Sequence, residues 1–207
     1  PDFGDYWSDL NPRKPVQDMA AESSTALYLI DTDGNVQRMP YAGTAWSNSV
    51  QTVNTNLGGG HTVDALADGK ILVGNRAGAS TPFPVAMSTN GGTSFVPNSR
   101  TLFEGISNVG IHAIMDTDYA TNETVYAAND NIAVPQGRIW RNKMPSGANV
   151  DWDDMITGFT THFAYFGIVQ TNSKNVSGQG TLYAAHDRQA ALGHAAIPQG
   201  GAWSGVE

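Results

Sequence analysis

The sequence predicts an all-β chain: a β-propeller built of four-stranded blades of about 50 residues, and a piece of a larger propeller. Three observations carry this. Apolar runs are short and rich in β-formers, as in Ala26-Leu27-Tyr28-Leu29-Ile30, Ile71-Leu72-Val73, Thr124-Val125-Tyr126-Ala127 and Thr181-Leu182-Tyr183-Ala184. Gly, Pro, Asn and Asp punctuate the chain too often for long helices. His61, His112 and His162 stand 51 and 50 residues apart, and each opens a short apolar stretch.

The elements follow in order within each unit. The inner strand is His-led: His61 to Leu66, His112 to Met115, His162 to Phe166. The apolar runs above form the next strand. The third strand is Val36 to Met39, Pro84 to Met87, Arg138 to Arg141 or His194 to Ile197. A Pro-Gly turn follows in three units. The outer strand carries the aromatic Trp46, Phe95, Trp152 or Trp203, expected to anchor one blade against the next. The units are 16–60, 61–111, 112–161 and 162–207, together one domain. Tyr6-Trp7-Ser8-Asp9-Leu10 resembles Asp151-Trp152-Asp153-Asp154-Met155, so 1–15 reads as the outer strand of a preceding or closing blade. A preceding blade is favoured, because Trp203 already supplies the last outer strand. The competing fold is a β-sandwich with accidental periodicity.

Composition narrows the function. The chain has 207 residues, 40% of them hydrophobic, so it can bury a core. Only 14% are charged, against about 25% in average chains. Ala, Gly, Thr, Asn and Ser therefore build the polar surface. Eleven Lys+Arg against 19 Asp+Glu, with no basic cluster, argue against nucleic acid. The longest apolar stretch, Phe163 to Val169, is far short of a membrane helix of about 20 residues. Zero Cys removes disulfides, thiolate metal sites and a Cys nucleophile. The start at Pro1 reads as a processed or truncated chain. A Cys-free, Lys-poor, Asn/Thr/Gly-rich chain leans toward a secreted or surface-exposed prokaryotic protein.

Chemistry-bearing residues are few. Asp31-Thr32-Asp33-Gly34-Asn35 joins two strands, and an Asp-Gly hairpin turn explains it better than Ca²⁺, which needs six to eight oxygens. Asp31 and Asp33 are the weak Ca²⁺ candidates, and no other cofactor is expected. His61, His112 and His162 could converge on a metal ion at a channel mouth. Repeat descent accounts for their spacing without one, and rotation between blades should hold them apart. No nucleophile elbow, zincin motif or phosphate loop occurs. A glycosidase would need two facing carboxylates, for which Asp64 and Asp116 are the candidates. Asn122-Glu123-Thr124 and Asn175-Val176-Ser177 are glycosylation sequons at Asn122 and Asn175.

Ser88-Thr89-Asn90-Gly91-Gly92-Thr93-Ser94-Phe95 resembles the Asp-box turn of sialidase-like propellers, with Asn90 for the Asp, Ser94 for the Thr and Phe95 for the Trp. The resemblance implies a structural hairpin in which the Asn90 side chain bonds backbone amides, Ser88 assists and Gly92 takes positive φ. The sialidase arginine triad and Arg-Ile-Pro motif have no match, Arg138-Ile139-Trp140 coming nearest. From Ala26 to Trp152 the chain is similar to prokaryotic cell-surface propellers, including S-layer-like proteins. The strings are Leu27 to Pro40, Gly60-His61-Thr62-Val63, Ser88 to Phe95, and Asp118 to Ala128 with Arg138 to Arg141. That resemblance implies a secreted, non-catalytic module. Its partners would be other surface-layer or filament subunits, itself included, and glycans are a further class. A carbohydrate-binding or glycoside-hydrolysing propeller is the alternative.

Overall fold

Short aliphatic and β-branched runs broken by Gly and Asp turns fold into hairpin after hairpin. The computed structural model describes residues 14–24, 26–41, 43, 46, 51–66, 68–77, 83–98, 109–130, 139–144, 152–155, 165–171, 181–186 and 192–196. These form four antiparallel sheets, each built from consecutive stretches of chain.

The first sheet has the order β1 (Val16–Ser23), β2 (Ala26–Asp31), β3 (Asn35–Pro40), β4 (Gln51–Asn54). The second holds β5 (Thr62–Leu66), β6 (Lys70–Gly74), β8 (Val85–Ser88) and β9 (Val96–Pro97). Between β6 and β8, the short β7 (Arg76–Ala77) pairs instead with the next sheet. That sheet contains β10 (Val109–Met115), β11 (Thr124–Asn129), β12 (Ile139–Lys143) and β13 (Asp153–Asp154), with one helical turn, α1 (Tyr119–Asn122), linking β10 to β11. The fourth comprises β14 (Tyr165–Thr171), β15 (Thr181–His186) and β16 (Leu192–Ala196).

The first strands of the sheets pack side by side in succession, β1 on β5, β5 on β10, β10 on β14. Sheets radiating from a line of inner strands are the blades of a β-propeller. Burial follows from this. In β2, Ala26, Tyr28 and Ile30 share one face and meet Val63, Ile71 and Val73 of the second blade in one core. Leu72, Val85 and Met87 of the second blade meet Ile111, Ala113, Met115 and Val125 of the third in another. A third core joins Tyr126, Ile139 and Met155 to Leu182 and Ala184. A blade lying between two others has both faces covered, and in the third blade every residue of the middle strand β11 is buried.

Glycine lets the inner strands approach. A Cβ on Gly74 would sit 2.0 Å from the Ile111 carbonyl oxygen, across the junction of the second and third blades.

The outer strands differ in part from expectation. Phe95 directly precedes β9 and Trp152 directly precedes β13. Trp46 instead forms an isolated bridge with Tyr41, upstream of the outer strand β4. Its ring lies 5.2 Å from that of Tyr41 and packs on Leu29 and Met39 of its own blade. The turn after Pro40 is long enough for Trp46 to fold back before the fourth strand begins. β10 opens at Val109, ahead of the boundary expected at 112, because Val109 and Gly110 pair with β7. Trp203 and residues 1–13 lie outside the described residues.

Candidate functional site

The inner strands enclose a cavity of about 350 Å³ lined by all four blades, including Gln17 and Asp18 of β1, Thr62 and Asp64 of β5, His112 of β10 and Ile168 of β14. Alternation along a strand decides what reaches it and what reaches the neighbouring blade.

Polar side chains of the inner strands hold one blade to the next. Asp18 accepts a hydrogen bond from Val63 N at 2.9 Å. At the equivalent place in the second blade, Asp64 accepts one from Met115 N at 2.7 Å. Thr62 adds two more, donating to Ile111 O at 2.9 Å and accepting from Ala113 N at 3.1 Å. An edge strand leaves alternate backbone groups unpaired, and these side chains satisfy them. The recurring alternation at Gln17-Asp18 and Thr62-Val63-Asp64 was the available sequence signal for this role. Burial raises the Asp64 pKa, the backbone bonds from Met115 and Ala65 oppose that, and nearby Asp18 adds to it.

Asp116 does not share a site with Asp64. It is buried at the end of β10, where Oδ2 accepts from the Tyr126 hydroxyl at 2.8 Å and Oδ1 from Asp118 N at 2.8 Å. The Tyr126 phenol is pushed far up, by burial first and then by the Asp116 charge. Asp64 thus fastens two blades while Asp116 closes a turn.

His61 and His112 come together. Their Nε2 atoms are 3.2 Å apart and the rings meet edge to face, with centroids 4.6 Å apart. Rotation between blades does not separate them, because the inner strands converge here. Asp130, which follows β11, brings Oδ2 to 4.0 Å from His61 Nε2. Its Oδ1 accepts from Gly110 N at 2.5 Å, and its own N–H donates to Gly110 O at 3.0 Å. Burial lowers the His61 pKa, while Asp130 pulls it up. Burial, and then His61, lower that of His112 to about 4. Burial favours the uncharged form of both rings, and between two neutral imidazoles one Nε2 donates and the other accepts. His61 Nδ1 is buried with no hydrogen-bond partner. His162 lies outside the described residues. Asp130 escaped the sequence reading because it follows the apolar run of its strand, although Asp187 matches it after Thr181-Leu182-Tyr183-Ala184.

Asp31 is a turn residue. Oδ1 accepts from the N–H groups of Asp33 and Asn35 at 2.9 and 2.8 Å, Oδ2 accepts from Asn35 Nδ2 at 3.0 Å, and Gly34 takes φ 79°. Asp33 points away, to Lys14. Both Asp31 oxygens therefore face donors rather than an open cation cradle. The turn from Ser88 to Phe95 joins β8 to β9. Asn90 Oδ1 accepts from Ser94 N at 3.0 Å, Ser88 Oγ accepts from Gly92 N at 3.0 Å, and Gly92 has φ 78°. Phe95 is buried in the core shared by the first two blades, whereas Trp152 is half-buried against the core shared by the second and third. Asn122 is half-buried in α1, its Oδ1 accepting from Thr124 N at 2.9 Å. Asn175 lies outside the described residues.

No known protein family and no curated protein matches the sequence. Solved structures do match. The chain superposes on the computationally designed Ika4 protein with a TM-score of 0.56 at 10% identity, covering 93% of this chain and 100% of that one. On YCF48 bound to D1 peptide the TM-score is 0.54 at 13% identity, covering 92% and 54%. On Saccharomyces cerevisiae Sqt1 it is 0.55 at 9% identity, covering 88% and 45%. The chain thus spans about half the length of the YCF48 and Sqt1 chains. The class that fold and channel define is the β-propeller.

Proposed function

We propose that the chain is a non-catalytic propeller module of a prokaryotic cell surface, working in an S-layer-like sheet or filament through protein–protein contacts. One observation carries this: the channel carboxylates are occupied in holding blades, while the outer face of the first blade is neutral. Met19 and Ala21 on β1 and Thr52 and Asn54 on β4 are exposed there, and Met19 is 63% accessible. A face whose described residues carry no charge can be covered by a protein partner at little desolvation cost. The likeness of YCF48, seen with a peptide bound, supports a protein partner. The Ser88 to Phe95 turn and the strings from Leu27 to Pro40 and Asp118 to Ala128 support the surface setting.

The test is twofold. Protease treatment of intact producing cells should cleave the protein, and the purified chain should assemble with concentration in sedimentation velocity. Assembly should weaken in Met19→Lys. Protection until lysis, together with a monomer at all concentrations, would refute the reading. A carbohydrate-cleaving propeller draws on one observation, the raised pKa of Asp64 beside the channel. A glycan screen with Asp64→Asn and Asp116→Asn as controls decides it, and no wild-type turnover removes it.

A further inference from the structure

We propose that His61, His112 and Asp130 form a binding site for one divalent transition metal ion, Zn²⁺ by its ligand chemistry, at the junction of the second and third blades. The three ligand atoms lie within 4.8 Å of one another. Two nitrogens bound to one tetrahedral Zn²⁺ at about 2.0–2.1 Å stand about 3.3–3.4 Å apart. The two Nε2 atoms here are 3.2 Å apart, so an ion fits beside them with almost no movement. The Asp130 Oδ2 atom, at 4.0 Å from His61 Nε2, needs only a small side-chain rotation to complete the set.

The surroundings are shaped for this meeting. A Cβ on Gly110 would lie 2.5 Å from His61 Nε2 and 2.6 Å from Asp130 Oδ2, so the ligands occupy the place a side chain would take. The Gly110 N–H donates to the other oxygen of Asp130 and so orients the carboxylate, as the hydrogen bonds of ligating carboxylates do. His61 and His112 line the channel cavity, which leaves a fourth position for water. Asp18 adds negative charge nearby. His61 Nδ1 has no partner, and ligand histidines lacking one bind about 10–100-fold more weakly, so the site is of moderate affinity.

The full chain, freed of metal with a chelator, is titrated with Zn²⁺ alone and with Co²⁺ alone. One Zn²⁺ per chain should bind, and Co²⁺ should give visible absorption that one equivalent of Zn²⁺ abolishes. His112→Ala and Asp130→Asn should each weaken Zn²⁺ binding at least about tenfold. Gly110→Ala, which removes no ligand, should do the same by pushing His61 from Asp130. Near-zero stoichiometry in wild type overturns the proposal. So does unchanged affinity in His112→Ala. Should the variants fail to fold, the wild-type stoichiometry and the Co²⁺ spectrum decide alone.

Discussion

Asp64 separates a charge from a hydrogen bond. Its Oδ2 accepts from Met115 N across the blade junction, while burial makes its ionised form costly. Asp64→Asn keeps an acceptor for Met115 N and removes the charge. Asp64→Ala removes both and leaves a buried N–H unsatisfied, a loss of about 1–3 kcal/mol. Because the folded-state pKa is raised above the ordinary 3.8, the protonated form favours folding. That contribution is fully present below the unfolded pKa and is lost as pH rises through the folded one. Wild type should therefore lose stability relative to Asp64→Asn with rising pH. Asp64→Ala should be least stable at acidic pH, where wild type keeps its acceptor and carries little charge. Urea unfolding followed by Trp fluorescence, from about pH 4 to about pH 8, reads all three. Equal losses in Asn and Ala variants, or a pH-independent gap between wild type and Asn, would refute the reasoning.

Other substitutions probe the packing. Phe95→Ala should cost about 3–5 kcal/mol in chemical denaturation, because the ring is buried between two blades, and Trp152→Ala should cost less, because half-burial removes less area. Tyr126→Phe should cost about 1.5–3 kcal/mol by the same assay, since it strips the buried bond to Asp116 while keeping the ring. Gly74→Ala should lower the melting midpoint sharply, its Cβ having nowhere to go beside Ile111 O.

The propeller was legible because its signal is periodic. Hairpins at Asp31-Gly34 and Ser88-Ser94 depend on bonds within a few residues, so local sequence specifies them. The His spacing identified inner strands for the same reason. Contacts between blades were harder. Trp46 and Trp152 share a sequence context, yet Trp46 bridges Tyr41 and packs on its own blade. Asp64 and Asp116 looked equivalent beside inner strands. Asp64 sits within β5 beside the next inner strand, whereas Asp116 falls just past the end of β10, within reach of the Tyr126 hydroxyl. Asp130 is matched by Asp187 in the fourth unit, yet spacing alone does not show its meeting with His61, which depends on β11 returning beside Gly110.

The low charge of the chain then acquires a structural cause. In a propeller, both faces of a blade are covered by neighbours and the inner edge is crowded, so a side chain has few solvated directions. Small neutral residues fit such surroundings, and the carboxylates that remain near the axis find N–H donors on the adjacent blade. Asp18 and Asp64 do so at equivalent places, which makes them part of the repeat itself. The carboxylates that fasten the first blade to the second and the second to the third hold the inner strands close together near the axis. His61, His112 and Asp130 meet there because Gly110 leaves them the room. The same inner-strand geometry that turns Asp64 to Met115 N and Asp116 to Tyr126 also creates the one cluster of three metal-ligating side chains among the described residues.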